Sequence, residues 1–116
     1  MYKKGLHLIS EFSVKDPELL KDCDKMKTFL NEAILKHGLI KVGEVFHAFP
    51  DSGYTGMICL TESHISIHTW PEFNMVTFDV FLSNYMKYND TIAEKIHSEL
   101  LALLDVKEIN TTRLNR

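Results

Sequence analysis

The segment from residue 39 to residue 82 is divided by short turn sequences into strand-length runs, and this pattern restricts the chain to folds built on a sheet. Within SHISIHTW, Ile65 and Ile67 alternate with polar residues, as expected for a strand with one buried face. The turns PDSG and PEFN contain residues that favour chain reversal. The predicted strands are 39–49, 55–61, 63–70 and 75–82, of which the second and third could also form one strand interrupted at Glu62–Ser63.

Two amphipathic segments flank these strands and are predicted to be helices. The first, residues 16–38, begins with Asp16, which can cap a helix, and Pro17, which fits a first turn. It ends at Gly38, a residue typical of helix termini, and its apolar residues recur at helical spacing. The sequence therefore predicts one long helix before the central strands.

The second helix is predicted over 89–104, where Thr91 and Glu94 have the spacing of a capping box. Residues 5–12 and 106–114 are predicted to add a first and a last strand. The order β-α-β-β-β-β-α-β indicates an α+β fold, a two-layer sandwich with a mostly antiparallel sheet and helices on one face. We expect a single domain, residues 1–116, and a homodimer, because the uncovered face of the sheet needs a partner.

The composition argues against several classes of function. A net charge of −3 over 116 residues, with no basic run, gives no indication of a nucleic-acid partner. The start MYKKG is followed by only a short apolar stretch, so neither a signal peptide nor a membrane span is expected. Cys23 and Cys59 lack metal-ligand spacing and are expected to be reduced thiols in a cytoplasmic protein.

The polar face of strand 63–70 carries His64, Ser66 and His68, which could belong to a site. On a strand the two histidines lie roughly 13 Å apart, too far for one zinc ion without a bend, and no third ligand is evident nearby. A Ser–His hydrolase is equally poorly supported, because the sequence has no nucleophile elbow and no evident acid partner. We therefore expect neither a metal site nor a hydrolase.

The peptide bond between Glu62 and Ser63 allows a third kind of chemistry. A serine hydroxyl can attack the carbonyl that precedes it when the bond is strained and a base is near. The resulting ester can eliminate to dehydroalanine, which hydrolyses to a pyruvoyl group at a new chain terminus. Such a carbonyl forms a Schiff base with an amine and then acts as an electron sink, the work of pyridoxal phosphate elsewhere. A serine beside a glutamate is too common to establish this chemistry.

The run LTESHISIHTWPE (60–72) closely resembles the processing motif of the prokaryotic S-adenosylmethionine decarboxylases, small pyruvoyl-dependent enzymes of polyamine synthesis. This resemblance implies an α/β sandwich that forms a dimer, in agreement with the predicted strands, and a decarboxylase whose product serves spermidine synthesis. Other segments extend it over residues 4–84 in the family's order and spacing: KGLHLISEF (4–12), DPELLKD (16–22), VGEVFHAFPDSGYTGMI (42–58) and VTFDVF (76–81).

The resemblance implies, first, a break in the chain. Cleavage is expected between Glu62 and Ser63, which would give an N-terminal chain 1–62 and a C-terminal chain 63–116. Ser63 would then become the pyruvoyl cofactor, and neither a metal ion nor pyridoxal phosphate is expected.

Other matching residues would assist processing or bind the substrate. His68 matches the family's processing histidine, which transfers protons during ester formation and elimination. Thr55 stands where the family usually has a serine that assists processing, and it keeps the hydroxyl. Phe49 and Trp70 match aromatic positions suited to stacking on adenine, although both could instead be core aromatics. Glu72 matches an acidic position near the sugar, where a carboxylate can accept two hydrogen bonds.

The sequence departs from the family's pattern after Phe81. Family members usually continue with Thr-Cys-Gly, and that cysteine protonates the α-carbon once carbon dioxide has left. Here Ser83 replaces the cysteine and Asn84 the glycine. A serine hydroxyl is a far weaker acid than a thiol, whose ordinary pKa is about 8.5. The candidate proton donors are Ser83, a water-linked donor, and Cys59, which has the same strand parity as Ser63.

Three interpretations of this departure stay open. The protein could be a slower S-adenosylmethionine decarboxylase, or its pocket could be retuned for L-ornithine or L-arginine. The latter would need a carboxylate for the distal cation, and Glu11, Asp51 or Glu72 could supply it. The third interpretation is a non-catalytic homologue or a small dimeric binding domain that never cleaves. Retention of the cleavage residues and of a hydroxyl at position 55 argues against it.

The remaining histidines are expected to be structural rather than catalytic. His7 and His47 are expected to be hydrogen bonded, and His64 to do no more than orient the cleavage turn. His37 and His97 lie on predicted helices and are expected to be exposed.

Overall fold

The computed structural model describes residues 1–116 and has the predicted order of strands and helices. Neither α-helix has the length and apolar composition needed to cross a membrane. The elements are β1 (Leu6–Val14), α1 (Cys23–Lys36), β2 (Lys41–Ala48), β3 (Tyr54–Leu60), β4 (Ser63–Trp70), β5 (Met75–Leu82), α2 (Asp90–Leu104) and β6 (Val106–Asn115), with 3₁₀ segments at Pro17–Lys21 and Pro71–Phe73.

All six strands form one sheet in the order β2-β3-β4-β5-β1-β6, and every neighbouring pair is antiparallel. The strands β2 to β5 pair with their sequence neighbours, because short turns join antiparallel strands directly. The first strand, β1, lies between β5 and β6. The prediction of an α+β sandwich on an antiparallel sheet is confirmed.

Both helices cover the same face of the sheet. α1 lies against β2, and α2 lies against β1 and β5. Alternate strand residues point toward the helices, and in β1 these include Leu6, Leu8, Phe12 and Val14, all buried. With the apolar stripes of the helices they form one cluster of 23 buried residues. Burial of a large apolar side chain contributes about 1.5–3 kcal/mol, so this cluster is the main source of stability.

The opposite face of the sheet has no helix over it, and we call it the bare face. It consists of the strand residues that point away from the helices, among them His64, Ser66, His68 and Trp70 of β4. Apolar side chains on an uncovered sheet are typical of association surfaces. The exposed apolar residues of the bare face are Val45, Met57, Met75 and Leu114.

The helix starts differ from the prediction. Asp16 caps only the 3₁₀ segment, through Glu18 N–H, and α1 begins later, where the side chain of Asp22 accepts from Lys25 N–H. Because Asp16 and Asp22 each cap a separate segment, the region forms a 3₁₀ segment followed by an α-helix rather than one long helix. The predicted capping box of α2 is also wrong, because Thr91 lies inside the helix.

His37 and His97 are not exposed, contrary to expectation. His37 follows α1, and its Nε2 lies 2.7 Å from Glu99 Oε1 of α2, which leaves its side chain 10% exposed. His97 turns toward the sheet, where its Nε2 lies 2.7 Å from Ser10 Oγ. Burial lowers the pKa of His97, with a smaller effect of the Arg113 charge. Both histidines join separate elements of the fold.

Candidate active site

The residues predicted to act in processing and binding lie at two ends of β4. Ser63 is the first residue of the strand and pairs with Leu60 and Leu82 on either side. His68 lies near the last residue and pairs with Thr55 of β3. We call the two groups the Ser63 end, with Glu62, Ser63 and Ser83, and the His68 end, with Phe49, Thr55, His68, Trp70 and Glu72.

The backbone at Ser63 is strained. Its φ of 138° is a conformation that residues with a Cβ rarely adopt. The conformation occurs where the short link between β3 and β4 reverses the chain, since Leu60 and Ser63 face each other across it. Strain of this kind costs about 1–3 kcal/mol and is concentrated at functional sites. Here it lies at the predicted cleavage bond.

The carbonyl group of the Glu62–Ser63 peptide bond has a donor directed at it. The Glu62 carbonyl oxygen accepts a hydrogen bond of 2.7 Å from the backbone N–H of Ser83. Such a donor polarises the carbonyl and stabilises the negative charge that develops on its oxygen when the carbon is attacked. The Glu62 side chain has a separate contact, because its Oε1 accepts from the N–H of Ile40 at 3.2 Å.

The two residues among the candidate proton donors are placed differently. Ser83 follows the last residue of β5, Leu82, which is paired with Ser63, so it lies beside the cleavage bond. Cys59 is exposed, and its partner across the turn is His64, whereas Ser63 faces Leu60. Because facing residues of an antiparallel pair share a side, the expectation that Cys59 and Ser63 have the same parity is wrong.

At the His68 end, an imidazole and a hydroxyl are already paired. Thr55 Oγ1 and His68 Nδ1 are 2.5 Å apart, which is a short hydrogen bond between neighbouring strands. Both side chains belong to the bare face and are half-buried. A hydrogen-bonded hydroxyl and imidazole can pass a proton between them, so this pair is suited to acid–base work.

The predicted substrate-binding residues surround the same end. Phe49 is 50% exposed and Trp70 is half-buried, so Phe49 is not the core aromatic that was the alternative. The ring centroids of Trp70 and His68 lie 6.2 Å apart. Glu72 is exposed and accepts a hydrogen bond of 3.1 Å from Ser52 Oγ. With Asp51 it lines a shallow cavity of about 190 Å³.

The turn that carries Phe49 is held against β4 by Gly53. A Cβ on Gly53 would lie 2.2 Å from the backbone oxygen of Thr69 and 2.8 Å from Pro71 Cδ. We predict that Gly53→Ala lowers the free energy of unfolding by about 1–3 kcal/mol, because backbone must move to make room. Urea denaturation measures the change.

Gly43 supplies the matched control for this prediction. No heavy atom lies within 4 Å of a Cβ built there, so Gly43→Ala should change stability by less than about 0.5 kcal/mol. Equal denaturation midpoints for the two variants would contradict the close approach at Gly53.

The two ends of β4 cannot meet within one chain. Ser63 and His68 are five residues apart on a regular strand, so their Cα atoms are roughly 16 Å apart. Neither side chain can bridge that distance, and β4 is held by ladders on both sides. One chain therefore holds the cleavage bond and the acid–base pair in separate places.

A further group on the bare face was not foreseen as a cluster. His7 Nε2 lies 3.5 Å from Asp79 Oδ2, and the His7 ring contacts His64 and Phe81. The guanidinium of Arg116 lies 4.9 Å from the centroid of Phe81. Burial lowers the pKa of His64, and the neighbouring His7 lowers it further. The alternation of polar and apolar residues in β1, β4 and β5 could have placed these side chains on one face of the sheet. Their proximity depends on the register between the strands.

Glu11 also lies on the bare face, because it and His68 both pair with Thr77 of β5. The structure thus places Glu11 toward the His68 end, as it does Asp51 and Glu72. No three histidine, cysteine, aspartate or glutamate side chains come together in a group that could hold a metal ion.

Comparison with known proteins gives one consistent result. Residues 6–116 match the sequence model of the family described as S-adenosylmethionine decarboxylase. An S-adenosylmethionine decarboxylase proenzyme of Thermodesulfovibrio yellowstonii is 40% identical over 81 residues, 70% of this chain and 60% of that protein. The proenzyme of Thermoplasma volcanium is 32% identical over 96 residues, 83% of this chain and 74% of that protein. The alignment thus spans less than two thirds of the first relative.

The solved structures give the same result for the fold. The crystal structure of the adenosylmethionine decarboxylase from Aquifex aeolicus superposes with a TM-score of 0.85 and 27% identity. The match covers 100% of this chain and 92% of that one. The resemblance to this family is therefore confirmed over nearly the whole chain, and the chain belongs to the S-adenosylmethionine decarboxylase family.

Proposed function

We propose that the chain is a self-processing proenzyme of a pyruvoyl-dependent decarboxylase that acts on S-adenosylmethionine and supplies the aminopropyl donor for spermidine synthesis. The observation that carries the proposal is the Glu62–Ser63 bond, which is strained at Ser63 and has its carbonyl oxygen bonded to Ser83 N–H. Membership of the family supports the substrate. The activity depends on cleavage into chains 1–62 and 63–116.

Processing uses the chain's own groups. Ser63 Oγ adds to the carbonyl carbon of Glu62, the hydroxyl proton passes to the departing nitrogen, and the C–N bond breaks to leave an ester. Loss of the Ser63 α-proton then expels the Glu62 carboxylate and leaves dehydroalanine at residue 63. Addition of one water and loss of one ammonia complete the conversion. The strain at Ser63 and the Ser83 N–H both favour the first step.

The Ser63 end fits the cofactor that this conversion would produce. The pyruvoyl group supplies a carbonyl that condenses with the substrate amine and withdraws electrons as carbon dioxide leaves. The hydroxyl of Ser83, beside residue 63, is the candidate donor of a proton to the substrate α-carbon. Because a hydroxyl is a weaker acid than a thiol, we expect this protonation to be slow.

A complete site requires two copies of the chain. His68 and Thr55 lie roughly 16 Å from Ser63 of the same chain, so they must serve a different Ser63. The bare face offers exposed apolar side chains along its length, which suits a homodimer with the sheets facing each other. In that arrangement the Ser63 end of one subunit lies over the His68 end of the partner subunit, and the Glu62–Ser63 bond comes within reach of the acid–base pair there.

The His68 end would then supply the substrate-binding residues. Phe49 and Trp70 present aromatic faces suited to an adenine and to the positive charge beside it. Glu72 is exposed, and its carboxylate can accept hydrogen bonds from two ribose hydroxyls. These three residues favour a nucleoside substrate.

A second candidate substrate, L-ornithine or L-arginine, is favoured only by Ser83 and Asn84, which replace the family's Cys-Gly. A distal cation would need a carboxylate. Asp51 and Glu72 line the same cavity, and either could serve.

The test is intact mass after incubation with cyanoborohydride and one of the three substrates. Cyanoborohydride fixes an amine covalently to a carbonyl with which it has condensed, so one spectrum reports both cleavage and substrate. Two fragments, with S-adenosylmethionine added to chain 63–116, are expected. An adduct formed only with ornithine or arginine would instead identify the second candidate substrate. A single uncleaved mass would overturn the proposal.

A further inference from the structure

Two buried asparagines lie immediately beyond the Ser63 end. Asn84 is 6% exposed and Asn89 is 1% exposed, and they bracket the loop between β5 and α2. Buried amides are normally hydrogen bonded, so their partners indicate what they hold in place. Asn84 also stands where the resembled family usually has glycine.

The side chain of Asn89 makes one hydrogen bond. Its Nδ2 donates to the backbone carbonyl of Ser83 at 2.8 Å, while its Oδ1 is buried without a partner. Asn89 is the N-cap residue of α2, yet its side chain caps no N–H of the helix. The acceptor of this amide is unused and its side chain caps no helix N–H, so its one hydrogen bond is the one that it donates to the Ser83 carbonyl.

Asn84 fixes Asn89 in turn. Its Oδ1 accepts from the backbone N–H of Asn89 at 2.6 Å, and its Nδ2 donates to the carbonyl of Lys4 and to Asp90 Oδ1, both at 2.9 Å. One side chain therefore ties the segment before β1 and the start of α2 to the segment that contains Ser83.

The segment before β1 also packs closely against the backbone at Ser83. A Cβ on Gly5 would lie 2.3 Å from the carbonyl oxygen of Leu82 and 3.0 Å from Ser83 Cα. The backbone at Ser83 is thus confined by the close approach of Gly5 and by the bond from the Asn89 amide, which Asn84 holds in place.

We infer that Asn89, held by Asn84, is a positioning residue for self-cleavage: it fixes the Ser83 backbone so that its N–H meets the Glu62 carbonyl oxygen. The inference rests on the proposed function, because it assigns the Ser83 N–H to stabilising the charge that forms on that oxygen. Asn89 touches no reacting atom. It acts through Ser83, whose carbonyl it binds and whose N–H lies 2.7 Å from the carbonyl oxygen of the bond that breaks.

The test uses Asn89→Ser in the full-length chain. Serine caps helices as well as asparagine does but is too short to reach the Ser83 carbonyl, so the fold is kept while the donor is lost. The first-order rate of cleavage, followed by mass, should fall about ten- to a hundredfold, the effect of misplacing a catalytic group by about 1 Å. Asn89→Asp, which keeps the shape and cannot donate, should slow cleavage similarly.

Hydroxylamine separates a defect in ester formation from a defect in the later elimination. It attacks esters rather than amides, so it cleaves the chain once the ester has formed and leaves a hydroxamate on Glu62. If Asn89 acts on the attacked carbonyl, ester formation is slow, and hydroxylamine does not restore the wild-type rate. Restoration by hydroxylamine would place the defect in elimination and overturn the inference, as would a wild-type rate in both folded variants.

Asn31→Ser is the matched control. Asn31 also binds through its amide, to the Lys27 carbonyl and to Glu44, but it lies on α1 away from β4. The Asn31→Ser chain should cleave at the wild-type rate. If it cleaved as slowly as the Asn89→Ser chain, a specific role of Asn89 in cleavage would be overturned. A wild-type chain that never cleaves would remove the proposed function itself, whereas cleavage of the wild type with no effect at Asn89 removes only this inference.

Discussion

The Ser63→Ala chain is expected to remain a single species and to form no adduct with S-adenosylmethionine, while the wild-type chain divides after Glu62. The methyl group of alanine cannot add to the Glu62 carbonyl, so no ester forms and no carbonyl group is generated at residue 63. The expected effect is complete loss of both processing and decarboxylation. Intact mass measures the first, and release of carbon dioxide from carboxyl-labelled substrate measures the second.

Ser98→Ala is the control for this prediction. Ser98 is exposed on α2, on the side of the sheet away from the bare face, and its replacement should leave both measurements unchanged. A Ser63→Ala chain that still breaks between residues 62 and 63 would contradict attack by the serine hydroxyl and would point to a contaminating protease.

Co-expression of Ser63→Ala and His68→Ala chains is expected to restore cleavage that neither variant shows alone. Loss of a general acid–base residue costs about 10²- to 10⁴-fold, so each variant by itself should be inert on the timescale of wild-type processing. In a mixed dimer, the intact His68 of one chain meets the intact Ser63 of the other. Differently tagged chains, purified as mixed dimers, should show cleavage of the His68→Ala chain only.

The control pairs His68→Ala with the double variant Ser63→Ala/His68→Ala. This dimer has no His68 and should stay intact. Two results would contradict the shared site: mixed dimers that form but do not cleave, and a His68→Ala chain that cleaves alone at the wild-type rate.

Most of the fold could be predicted from the sequence because its elements are locally determined. The alternation of Ile65 and Ile67 with polar residues, and the turns around β4, specify strands over a few residues. The start of α1 was less predictable, because Asp16 and Asp22 are both good caps and only packing decides which one begins the α-helix. The position of β1 between β5 and β6 depends on contacts between distant residues.

The candidate site could be predicted as a set of residues but not as an arrangement. Thr55 and His68 are thirteen residues apart in sequence, and their hydrogen bond depends on the register between β3 and β4. The Ser83 donor is a backbone group, which leaves no mark in a sequence. The strain at Ser63 likewise follows from the tight link, since nothing in the residue type predicts a positive φ. Such features become visible only when the chain is folded.

The sheet order has a consequence for the lifetime of the cleaved protein. Strands β1, β2 and β3 precede the bond at Ser63, while β4, β5 and β6 follow it, and the sheet alternates between the two sets three times. If the chain is cleaved as proposed, the two polypeptides would stay interleaved through the ladders β3–β4, β5–β1 and β1–β6. A molecule that later unfolds, however, must find its other half by diffusion, so its recovery becomes second order and depends on concentration. The proposed cleavage would therefore turn a chain that folds unimolecularly into a two-chain molecule that refolds only by reassociation of its halves.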